Sequence, residues 1–186
     1  MQLARSLPPV SGSPGPSENG GELLAKGQPA PGIVGTTLDG KSFDLASLHG
    51  RPVIVNFWGP SCVPCRDEFP LFLAKLGAHA SDGLAVVGIL MYDAAAPARD
   101  FVTQFHATWP TVDDPSGSIR NTYKVAARPQ SYFIDRDGIL RSIQVGQLTD
   151  AEIERQYALI AGAPAGSGTG PSGGQPKPSL EIPPPP

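Results

Sequence analysis

The stretch Val53-Ile-Val-Asn-Phe-Trp-Gly-Pro-Ser-Cys62-Val-Pro-Cys65-Arg66 constrains this chain more than any other. A short apolar, β-branched run ends in Trp58-Gly59-Pro60, two cysteines follow with two residues between them, and a segment of helical apolar spacing comes next. That order predicts strand, tight turn and helix, with Cys62 at the helix N-terminus. Backbone N–H groups are unpaired there and the helix dipole is positive, so a thiolate gains on the thiol. A Cys-x-x-Cys in such a place is a redox motif by mechanism as well as by pattern.

These two cysteines are the only ones in 186 residues, so no disulfide framework exists. A bridge closing so short a loop constrains the unfolded chain little, which favours reactivity over stability as its reason. A zinc site would lack ligands, since four are normally needed and His49, His79 and His106 show no ligand-like spacing. No metal and no cofactor beyond a redox-active Cys62–Cys65 pair is expected. The net charge of −3 argues against a nucleic-acid or anionic-membrane partner.

Glycine and proline, 22 of each, crowd the two ends of the chain. Residues 1–27 are therefore expected to form a flexible extension, 28–162 a domain long enough to bury a core, and 163–186 a disordered Gly/Ser/Pro-rich tail. The N-terminal segment has no apolar run long enough for a secretory signal or a membrane span as it stands. Either the protein is cytoplasmic, or a membrane anchor lies outside this sequence.

Between the ends, strand and helix signals alternate. Ile33–Thr37 and Lys41–Leu45 flank Asp39-Gly40, a hairpin signature, with a helical turn expected over Ala46–His49. The central strand is expected at 52–58 and the cysteine helix at Cys62–His79, with Phe69, Phe72 and Leu76 on one face and Pro70 a kink. Leu84–Met91 reads as a strand covered on both faces. Pro97 in a first turn introduces a helix over Ala98–Ala107, burying Phe101, Val102 and Phe105. Trp109-Pro110 reads as a packing element. A short helix is expected at Ile119–Tyr123. Ser131–Ile134 and Ile139–Val145 form a second hairpin through Asp137-Gly138. Thr149–Ile160 is a final helix, opened by a Thr149/Glu152 capping box. Asp67 and Glu68 read as first-turn carboxylates that complement the helix dipole. The sum is a mixed α/β sandwich.

Phe57-Trp58-x-x-x-Cys62-x-Pro64-Cys65-Arg66 resembles the active-site segment of the thioredoxin superfamily and, more narrowly, of the TlpA/ResA-type thiol–disulfide oxidoreductases. Matching motifs run in order from about Pro29 to Ile160: Pro29-Ala-Pro-Gly, Leu45-x-x-Leu48-x-Gly50, Val53-Ile-Val-Asn56-Phe-Trp, Cys65-Arg66-x-Glu68-x-Pro70, and Arg128-Pro129-x-x-Tyr-Phe-Ile-Asp-x-x-Gly138. The resemblance implies a thioredoxin-like sandwich, a central mixed β-sheet flanked by helices with an N-terminal β-hairpin. It implies exchange of electrons with protein disulfide or dithiol partners. Cys62 would be the nucleophile and Cys65 the resolving thiol.

The favoured direction is reduction of partner disulfides in the cell envelope, of the kind serving cytochrome c maturation or metal-site thiols, by a monomer fed from a membrane-bound reductant. A disulfide-forming oxidant and a peroxiredoxin-like peroxidase are the competing readings within the class. Peroxiredoxins carry Thr/Ser-x-x-Cys, a spacing that Ser61-Cys62 lacks. A binding module using the Pro-rich tail is the reading from another class.

By the same resemblance Pro129 is a cis-proline, and Trp58, Pro64, Arg128 and Pro129 border the substrate. Arg128 stands where the family often has a small or hydroxyl residue, and Ser61 where it often has a second tryptophan. Asn56 replaces the buried aspartate of thioredoxins proper, which leaves Asp93, after the next strand, as the candidate proton acceptor for Cys65.

Overall fold

The computed structural model describes residues 23–162. The expected N-terminal extension up to residue 22 and the Pro-rich tail from 163 onward lie outside the described residues. Leu24 packs against the core and the Gly27 N–H donates to the Leu140 carbonyl at 2.8 Å, so ordered contacts start ahead of residue 28.

A hairpin of β1 (Val34–Thr36) and β2 (Ser42–Asp44) leads through a 3-10 turn at Leu45–Leu48 to the central strand β3 (Val53–Trp58). Then follow α1 (Val63–Ala78), β4 (Ala85–Leu90), α2 (Ala95–Gln104), β5 (Thr111–Asp113), α3 (Ser118–Thr122), β6 (Gln130–Ile134), β7 (Leu140–Val145) and α4 (Asp150–Tyr157). The main sheet has the order β5-β4-β3-β6-β7; β3, β4 and β5 are parallel, while β6 and β7 run antiparallel to their neighbours. This is the expected mixed sheet flanked by helices, with the hairpin in front.

The period of two in β3 and β4 sorts the interior into two cores, although both strands are buried at every position. Ile54, Trp58, Val86 and Leu90 join Phe69 and Phe72 of α1, Phe101 of α2, and Ile153 and Tyr157 of α4. Val53, Val55, Phe57, Val87 and Ile89 face the other way, onto Ile33, Tyr123 and Tyr132. Gly88 lies opposite Asn56 in β3, and a Cβ there would fall 2.7 Å from both Trp58 Nε1 and Thr111 Oγ1. Only glycine lets the indole lie against β4.

Four features depart from the sequence reading, among them helix α4, which ends at Tyr157 rather than Ile160. β5 was not expected, the reading there stopping at Trp109-Pro110 as a packing element; three residues are too few to show a period, and the strand exists because it pairs with Gly88–Leu90 of β4. Helix α2 begins at Ala95 rather than Ala98, with Pro97 still in the first turn, where its missing N–H is one that the helix leaves unpaired anyway. It ends at Gln104, and His106 just beyond takes a left-handed backbone with φ 52°. Neither Asp67 nor Glu68 lies in the first turn of α1, and Glu68 is buried on its core face.

Candidate active site

Trp58 ends β3, and the chain turns through Gly59–Ser61 to enter α1. Cys62 is the N-cap and Pro64 falls at the second helical position, inside the first turn where proline is tolerated. Cys62 and Cys65 are disulfide-bonded, with Cα atoms 5.3 Å apart. Cys62 Sγ also accepts the Cys65 N–H at 3.3 Å, so the sulfur already faces a helix donor. Cys62 keeps 6% of its surface while Cys65 keeps none. Of the two sulfurs, Cys62 is the one a partner can reach.

Beneath the pair lies a polar network inside an apolar core. Glu68, one turn beyond Cys65 on α1, is fully buried. Its Oε1 accepts the Leu148 N–H at 2.8 Å and its Oε2 accepts Nδ2 of Asn56 at 3.1 Å. Asn56 Nδ2 also donates to Ser131 Oγ at 2.9 Å, so β3 and the loop before α4 meet at the α1 carboxyl group and β6 joins them through Asn56. Burial pushes the Glu68 carboxyl up to about 7 against the opposing effect of these hydrogen bonds. Residues i and i+3 of a helix are neighbours on one face, which places this near-neutral acid beside Cys65. The sequence reading missed it. The available signal was a pair of misfits: an asparagine in an otherwise apolar strand, and a carboxylate at core spacing on the next helix.

Trp58 has no exposed surface and belongs to the core cluster that includes both cysteines. Its ring packs edge-on to Phe69 at 4.7 Å and against Phe101 at 5.1 Å. The Arg128–Pro129 peptide is cis.

Arg128 is held on three sides. Its Nη1 donates to Asp93 Oδ2 and to the Met91 carbonyl, both at 2.6 Å, and its Nη2 donates to Ser61 Oγ, also at 2.6 Å. Ser61 Oγ in turn donates to Asp93 Oδ2 at 2.9 Å. Asp93 therefore sits in an ion pair with Arg128, and among the described residues no hydrogen bond links it to Cys65. Beside this cluster Tyr92 projects into solvent, 68% exposed, with Arg120 at 4.6 Å and Arg128 at 5.7 Å from its ring centroid.

A fold with a redox pair at a helix N-terminus, a cis-proline loop and a buried acid has relatives. Residues 26–143 match the model of the AhpC/TSA family. The chain belongs to that family. It is 31% identical over 133 residues to the thiol-disulfide oxidoreductase ResA of Bacillus cereus, covering 72% of this chain and 77% of the relative. Among solved structures, a thiol:disulfide interchange protein of the thioredoxin family from Chlorobium tepidum is 31% identical, with a TM-score of 0.67 over 75% of this chain and 99% of the other. A secreted disulfide oxidoreductase of Mycobacterium tuberculosis, homologous to Escherichia coli DsbE, is 27% identical with a TM-score of 0.61, covering 68% and 94%. The present chain is a ResA-like thiol–disulfide oxidoreductase of the thioredoxin superfamily, an enzyme class that acts on protein dithiols or disulfides. No helix among the described residues is long and apolar enough to cross a membrane.

Proposed function

We propose that this oxidoreductase reduces disulfides of partner proteins in the cell envelope, as a monomer re-reduced by a membrane-bound donor. Cytochrome c maturation and the upkeep of metal-site thiols are the substrate classes. Similarity to proteins named ResA and to a secreted DsbE homologue supports the compartment and the class. No bound cofactor is required, because the Cys62–Cys65 pair carries the electrons itself.

One observation carries the mechanism: a disulfide at the start of α1 with a buried carboxyl group of near-neutral pKa one turn below it. In the reduced enzyme the Cys62 thiolate, stabilised by the helix N-terminus, attacks one sulfur of the partner disulfide. An S–S bond forms between enzyme and partner, and the partner's other sulfur leaves as a thiolate. Cys65 must then lose its proton to attack Cys62. Glu68 takes that proton, since its pKa of about 7 suits both acceptance and release near neutral pH. Attack by Cys65 closes the Cys62–Cys65 disulfide and frees the second partner sulfur. Two electrons have passed to the partner, whose two thiolates take up protons, one of them returned by Glu68.

The test uses a peptide containing a single strained disulfide. The Cys65→Ser enzyme is expected to accumulate a mixed disulfide through Cys62, and Cys62→Ser to form none. Equal trapping by both variants, or by neither, sinks the assignment of roles.

A further inference from the structure

The Asp93–Arg128–Ser61 cluster has no part in the mechanism above, yet it grips the segment that carries Cys62. We propose that Arg128 is a positioning residue that stabilises the Cys62 thiolate, and that Asp93 is the counter-charge which limits how far. The proposal deepens the thiol–disulfide reading and rests on it.

The geometry places a cation against the turn that leads into Cys62. Arg128 precedes the cis-proline, and its Nη2 reaches Ser61 Oγ, the side chain next to Cys62 in sequence. Each terminal guanidinium nitrogen carries two hydrogens. Among the described residues Nη1 uses both, on Asp93 and the Met91 carbonyl, whereas Nη2 makes a single hydrogen bond, to Ser61. The clamp thus holds the positive charge against the residue that precedes Cys62. The side chains of Arg128 and Asp93 are only 21% and 16% exposed, so solvent screens their charges less than at an open surface.

The backbone is cut to fit this pair. A Cβ on Gly59, three residues before Cys62, would strike both Asp93 Oδ2 and Arg128 Nη1. Other charged groups near this end of α1 are occupied elsewhere. Arg66 lies over Phe101 and Phe105, Asp67 accepts from Gln147, Glu68 is buried with Asn56, and Arg120 stacks on Tyr92.

The charge arises when a dithiol partner reduces the enzyme. The partner gives two electrons and two protons, its own sulfurs join, and the Cys62–Cys65 bond breaks. One proton stays on Cys65 and the other leaves to solvent, so Cys62 becomes anionic beside Arg128. Stabilising that anion stabilises the reduced protein and raises the potential.

Asp93→Asn keeps the hydrogen-bonding shape but removes the counter-charge; Arg128→Gln removes the cation. In a Cys65→Ser background, where Cys62 titrates alone, thiolate absorbance in the ultraviolet gives its midpoint. Asp93→Asn is expected to lower that midpoint and Arg128→Gln to raise it, each by the equivalent of a roughly tenfold change in thiolate population. With both cysteines present, the two-electron potential at pH 7 should rise in the first variant and fall in the second, by about 30 mV for that tenfold change. A purely structural clamp predicts that both variants move the same way or not at all, and either result overturns the proposal. Arg128→Lys, which keeps the charge, should stay on the wild-type side of Arg128→Gln; if Lys and Gln behave alike, charge is not the cause. Should wild type itself show no reversible two-electron transition, the thiol–disulfide reading falls and this proposal with it.

Discussion

Replacing Glu68 by glutamine tests the buried acid on two scales at once. In the unfolded chain a glutamate titrates near 4.5, whereas in the folded protein burial holds Glu68 protonated up to about 7. Between those values the folded state binds the extra proton, so stability must fall as pH rises through the window. Below 4.5 both states are protonated and the penalty is absent; above 7 it is complete. The separation corresponds to about 3 kcal/mol. Glutamine cannot ionise. Its oxygen can still accept from Leu148, and a flipped Asn56 amide can accept from its nitrogen while remaining bonded to Ser131. Urea unfolding of the oxidised protein at pH 5 and pH 8 supplies the comparison, because any constant cost of the substitution cancels in the difference. Wild type should lose about 2.5 kcal/mol more than Glu68→Gln on going from pH 5 to pH 8, the rest of the penalty being already present at pH 5. The same variant should resolve mixed disulfides about 100-fold more slowly at neutral pH, within the usual range for a lost general base. If both proteins show one pH dependence of stability, Glu68 is not the buried titrating group and the proton route built on it is wrong.

Three further outcomes follow from packing. Gly88→Ala should cost about 1–3 kcal/mol in urea unfolding, since the added methyl meets both Trp58 and Thr111, and should alter the near-ultraviolet signal of the indole. Phe69→Ala, which empties the centre of an aromatic group joining Trp58, Phe101, Phe105 and Trp109, should cost about 3–5 kcal/mol by the same assay. Thr149→Ala breaks the capping box with Glu152 at the start of α4 and should cost about 1 kcal/mol without changing the exchange rate.

What the sequence revealed depended on whether a feature was local. The strand–turn–helix around Cys62, both hairpins and the Thr149/Glu152 box are each set by residues within a few positions of one another, and all appear in the structure. Strand β5 is not local: Thr111–Asp113 becomes a strand only because the edge of β4 is there to pair with. The polar parts of the site are harder still. Glu68 looked like a dipole-complementing carboxylate because first-turn acids are common, and only the fold shows Asn56 and Leu148 closing over it. Arg128, Asp93 and Ser61 lie far apart in the chain and meet because the cis-proline loop, the end of β4 and the turn into α1 share one end of the sheet. Charge, read one residue at a time, gave no hint of that pairing.

The reduction potential of the Cys62–Cys65 pair tests the central claim most directly. It is obtained by equilibrating the enzyme with dithiol and glutathione buffers and following indole fluorescence, since Trp58 belongs to the core cluster that includes both cysteines. A disulfide reductase predicts a value below roughly −230 mV, towards the thioredoxin end of the scale. A value above about −180 mV would make the protein a disulfide donor and contradict the proposed direction.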